Sequence, residues 1–136
     1  SLDPQASAEA VEEIRKILDE EGELRRGQQR NKRFYIFVAI LYLDAVRVAP
    51  KRPVQNMQQA LLDGGVEVTT QDVSSWVNLA RRHRYLELAE RGVPSAVPTQ
   101  LLRDADLSYR LRSFVSGPHQ QDVGAMLKPR PDLRGK

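Results

Sequence analysis

Gln71, Ser74, Ser75 and Asn78 recur at helical spacing, and Arg81, Arg82 and Arg84 follow them directly. Amides and hydroxyls along one helix face can hydrogen-bond to base edges, while guanidinium groups pair with phosphates. A carboxamide matches the adjacent acceptor and donor that adenine presents in the major groove, which makes Gln71 and Asn78 adenine readers in this chemistry. Ser74 and Ser75 complete the candidate base-reading set. The candidate phosphate-contacting set is Lys51, Arg52, Thr70, Arg81, Arg82 and Arg84, with the first two just ahead of Pro53.

The remaining reactive residues do not form a catalytic constellation. His83 follows two arginines near the end of a predicted helix, where a charged imidazole favours the helix dipole, and it reads as a surface residue. His119 lies in a Gly-Pro-rich tail and suggests no role. Two distant histidines in a chain without cysteine make no metal site. Glu12-Glu13 and Glu20-Glu21 belong to an acidic helix whose carboxylates are solvated. Neither a Gly-x-x-x-x-Gly-Lys loop nor a Gly-x-Gly-x-x-Gly turn occurs, so phosphate cradles for nucleotides are missing. The expectation is a protein that is not an enzyme, with no metal, no cofactor and no small-molecule substrate.

Charge separates along the chain. Residues 1–24 hold eight acids against Arg15 and Lys16, a net of −6, whereas residues 25–136 carry a net of +9. A basic body suits a polyanion partner. The split also suggests that the acidic helix covers the basic surface as an internal mimic of DNA. At 136 residues the chain has one domain's worth of length. No stretch nears the ~18 apolar residues of a membrane span, so no membrane partner is expected. Absent cysteine and the lack of a basic-then-apolar leader suggest a cytoplasmic, nucleoid-associated protein.

Periodicity supplies the elements that must position these side chains. Asp3-Pro4 opens a helix over about 5–24, with a thin stripe of Val11, Ile14 and Leu18 that can dock on its own body or on another chain. Arg25, Arg26, Arg30, Lys32 and Arg33 form a basic run around Gly27, either a solvated linker or a phosphate-contacting arm. Residues 34–48 are apolar nearly all round and predict the central, buried helix. Pro53 starts a helix with Val54, Met57 and Leu61 inward, and Asp63-Gly64-Gly65 ends it, adjacent glycines supplying positive φ. Thr69 and Asp72 form a capping box for a fourth helix reaching about Arg84, with Val73, Trp76, Val77 and Ala80 inward. Thr99 caps one further helix over about 100–114, bearing Leu101, Leu102, Leu107, Leu111 and Phe114. These elements divide the chain into an acidic N-terminal helix (1–27), a helical domain (28–115) and a flexible basic tail (116–136).

Residues 42–86, a third of the chain, resemble the helix-turn-helix of short actinobacterial and phage-type regulators. The resemblance rests on Pro53-Val54, Ala60-Leu61, Val68-Thr69, Trp76-Val77, Ala80-Arg81 and Tyr85-Leu86. The turn is longer than in that pattern, and Asp72 stands where an arginine would read guanine. The resemblance implies an all-α fold of five to six helices with a trihelical helix-turn-helix core. It also implies sequence-dependent binding of double-stranded DNA, as a transcriptional regulator or DNA-organising factor. A homodimer is expected, joined through the acidic helix or through Leu101–Phe114. The alternative is a helical protein–protein interaction module that does not bind DNA.

Overall fold

A computed structural model of the chain describes residues 4–88 and 96–119. Over these residues the fold is all-α, with helices α1 (Pro4–Glu21), α2 (Lys32–Val48), α3 (Pro53–Asp63), α4 (Thr70–Arg82), α5 (Gln100–Arg103) and α6 (Tyr109–Ser116). Asn31 caps α2, its side chain accepting from the Arg33 N–H at 2.8 Å. Every residue from Phe34 to Val46 is buried, so α2 is the axis on which α1, α3 and α4 pack.

α1 lays Ala6, Ala10, Val11 and Ile14 into the core, with Ile17 and Leu18 packed at its edge. The acidic segment thus shares one apolar cluster with the rest of the chain, and its stripe is occupied by its own body. A half-buried polar contact accompanies this docking: Ser7 Oγ donates to the Asp44 carboxylate of α2. Several acids of α1 form ion pairs: Glu12 and Asp19 with Arg15 of the same helix, Glu21 with Arg30 and Glu9 with Arg110. Two of these pairs, to Arg30 and Arg110, engage cations of the basic body, and among the described residues none of them involves α4.

The α3–α4 turn combines two stop-and-start devices. Val66 N–H donates to Leu61 O at 2.8 Å and Gly65 N–H to Leu62 O at 3.0 Å, with Gly65 at φ 89°. That is a Schellman closure, which needs a left-handed residue at this point. Gly64 differs from the expectation of positive φ, since its φ is −89°. It is small because α1 passes over it, and a Cβ at this position would collide with Val11 Cγ1. The capping box forms as the sequence predicts: Thr69 Oγ1 accepts from Asp72 N–H at 3.0 Å and Asp72 Oδ2 accepts from Thr69 N–H at 3.1 Å.

Three expectations change. α4 stops at Arg82, because Arg84 adopts φ 68° and turns the chain back along α4. Leu86 then pairs antiparallel with Pro98, and Glu87 N–H donates to Val97 O at 2.9 Å. The single helix expected over 100–114 is two: Thr99 caps α5, and Ser108 caps α6 by accepting from Leu111 N–H at 3.2 Å. The break re-phases the stripe so that Leu102, Leu107, Leu111 and Phe114 all reach the core, and it leaves Leu101 exposed. Finally, His119 is buried beneath α6, its ring 5.5 Å from that of Phe114 and its Nε2 2.9 Å from Val115 O. The described part of the expected tail therefore folds onto the core, and residues 120–136 lie outside the described residues.

Candidate nucleic-acid interface

α4 is two-sided. Val73, Val77 and Ala80 are buried against α2 and α3, and Trp76 meets the Phe34 ring edge-on at 4.9 Å. Trp76 is thus the core anchor that its position on the inward stripe suggests. On the opposite side, positions 71, 74, 75, 78 and 82 fall within one stripe of a 3.6-residue helix. Gln71, Ser74, Ser75, Asn78 and Arg82 occupy them, and all five are exposed. The stripe contains no apolar side chain and no acid. Asp72, which the spacing places near its start, has both backbone and side chain engaged in the Thr69 cap. Its carboxylate favours the helix N-terminus and so anchors the helix rather than contributing to its open face.

The expected phosphate contacts divide into two groups. Lys51, Arg52, Thr70, Arg82 and Arg84 are exposed. Lys51 and Arg52 stand at the entry to α3, where Arg52 N–H donates to Ala49 O at 3.0 Å and its side chain caps nothing. Arg84 projects from the left-handed turn after α4, whose carbonyl accepts from the Thr99 hydroxyl. Arg81 behaves differently from the expectation. Its guanidinium lies over the Tyr42 ring at 5.2 Å, Nη2 donates to Tyr42 Oη at 3.3 Å, and Nε is buried without an acceptor. The helix phase puts Arg81 some 80° from the middle of the open stripe, on the α2 side, so it clips α4 to α2.

His83 is also more than a surface residue. It stacks on Tyr35 at 4.9 Å and faces Tyr85 at 6.2 Å, closing the end of α4 with three rings. Burial pushes both phenols up, with the nearby Arg30 and Arg33 pulling them back, so both tyrosines are neutral at pH 7. Sequence spacing gave no signal for this cluster because Tyr35 and His83 are distant in the chain. Beside it opens a cleft of about 640 Å³ lined by Arg82, Arg84, Leu86, Thr99 and Leu101. Among the described residues, no three histidine or carboxylate side chains gather as a metal would require. None of the described helices is long and apolar enough to cross a membrane. Comparison with protein-family models, with curated proteins and with solved structures finds no match for this chain.

Proposed function

We propose that this protein binds duplex DNA in a sequence-dependent manner, laying α4 in the major groove as a transcriptional regulator or DNA-organising factor. The observation that carries the reading is the stripe of Gln71, Ser74, Ser75, Asn78 and Arg82, exposed along a helix held from behind by α2 and α3. Amides and hydroxyls in that register address base edges, and Lys51, Arg52, Arg82 and Arg84 supply phosphate contacts. One such helix reads few base pairs, so two copies related by a two-fold axis are the working assembly, acting at the nucleoid.

Selection from random duplexes at two salt concentrations tests this, with sequencing of the retained pool. An enriched two-fold motif is the expected result, and binding that falls steeply with salt is its electrostatic counterpart. Asn78→Ala shifts the preferred sequence, whereas Arg82→Ala with Arg84→Ala weakens binding to all sequences. Absence of binding at low salt overturns the reading.

Exposed Leu88, Leu101 and Tyr109 favour a second reading, a helical module that docks on another protein. Such an interface responds little to salt, which separates the two.

A further inference from the structure

We propose that the connection between α1 and α2 is a second phosphate clamp on the same duplex, gripping the strand opposite to that held by Lys51 and Arg52. This rests on the DNA reading of α4. The connection is built rather than slack. Gly22 and Gly27 take φ 66° and 80°, Gln28 N–H donates to Arg25 O at 2.9 Å, and Arg25 N–H donates to Gln28 Oε1 at 3.0 Å. Its base is fixed by Glu21, whose carboxylate accepts from Arg30 Nη1 at 3.2 Å and from Asn31 N–H at 2.9 Å.

The cations here sort by what they touch. Arg30 pairs with Glu21 and covers the Phe34 ring, and Arg33 covers Phe37 and donates to Asp106 O at 3.1 Å. Arg25, Arg26 and Lys32 are exposed, and none of the ion pairs among the described residues uses them. The short, pinned loop and the first residue of α2 thus present three exposed cations that no ion pair among the described residues uses.

Its position gives that charge a target. The first turn of α2 stands against the second half of α4, through Phe34 on Trp76 and Tyr35 on His83, the residue after Arg82. Lys51 and Arg52 lie just beyond the other end of α2, whose 17 residues span about 25 Å. The major groove is about 12 Å wide. Basic groups at both ends of such a helix straddle the groove that α4 enters, one on each phosphate backbone.

The test uses the full chain and the duplex recovered by selection. In the triple variant Arg25→Ala, Arg26→Ala, Lys32→Ala, the slope of log affinity against log salt is expected to become shallower by about 1–3 units, at about 0.9 per phosphate contact. Phosphate-ethylation interference is expected to lose contacts on one strand in this variant and on the other strand in Lys51→Ala, Arg52→Ala. Circular dichroism checks that the triple variant is folded, as exposed positions predict. A wild-type slope in the triple variant overturns the clamp while leaving the α4 reading standing, provided Arg82→Ala with Arg84→Ala still weakens binding. Loss of contacts on the same strand in both variants overturns the strand assignment. No binding by the parent chain overturns both proposals together.

Discussion

Arg84 occupies a backbone state that suits glycine, with φ at 68°. A left-handed conformation costs a side-chain-bearing residue about 1–2 kcal/mol, partly offset in glycine by its larger unfolded-state entropy. Arg84→Gly is therefore expected to be more stable than Arg84→Ala by about 1 kcal/mol, while on the DNA-binding proposal both lose the same proposed phosphate contact and about 0.9 of salt slope. Thermal melts and binding isotherms of the two variants separate the fold's interest in this residue from the ligand's. His119 gives a second expectation. Burial, aided by the positive Arg47 and Arg103, pushes its pKa below the ordinary 6.5, against the pull of the Val115 carbonyl. The unfolded chain then binds the proton more readily. Stability from the neutral ring is complete above pH 6.5 and is lost as pH falls from there toward the lower folded-state value. Melting temperatures between pH 7.5 and 5 should decline more steeply for the parent than for His119→Phe. Equal slopes would show that the ring is not buried neutral.

At the scale of elements, the close pass of α1 over the α3–α4 turn is open to a direct test. Gly64→Ala keeps an allowed backbone but forces a methyl against Val11 Cγ1, at an expected cost of about 1–3 kcal/mol. Val11→Ala should relieve most of it, so that the double variant loses less than the sum of the singles. Denaturant midpoints of the four proteins measure this coupling, and strict additivity would mean that the two residues do not touch. The same turn illustrates what the sequence makes legible. The capping box at Thr69 and Asp72 is local, and local hydrogen bonding writes itself into neighbouring residue types. The buried stripe of α2 is equally plain, because thirteen consecutive buried positions leave no polar face to mislead. The reason for Gly64 was not legible, since it depends on a residue of another helix. The break between α5 and α6 escaped for a related reason. Asp104, Ala105 and Asp106 carry no glycine or proline, and only the Ser108 cap marks the restart. At the site, the open stripe of α4 follows from helical phase alone. The turning of Arg81 to Tyr42 and the stacking of His83 on Tyr35 arise only when α2 and α4 pack.

For the whole molecule, the sharp division of charge along the chain does not become a division into separate bodies. The acidic segment spends its apolar side on the core and five of its carboxylates on Arg15, Lys16, Arg30 and Arg110. Deleting residues 1–24 is therefore expected to lower the melting temperature sharply or abolish the cooperative transition, by uncovering the faces of α2, α3 and α6 on which α1 packs. A truncated chain with the parent's melting temperature would show that α1 is dispensable to the core. On the DNA-binding proposal, the remaining positive surface would then steer the truncated chain toward DNA by the body alone, with association rates that fall as salt rises.

The run of buried residues in α2 also matters while the chain is being made. Phe34–Val46 is synthesised before α3 and α4, which pack on it, and before the core residues that follow them in the chain. At about 5–20 residues per second, the interval before His119 is added is on the order of 4–15 s. Through that interval the nascent chain exposes a continuous apolar helix, an attractive substrate for holdase chaperones and for other copies on the same message. Among the described helices, α1 comes before it in the chain. The acidic helix is thus in place to cover one side of α2 as soon as it forms, keeping the unfinished protein soluble with carboxylates, several of which the finished one engages in ion pairs.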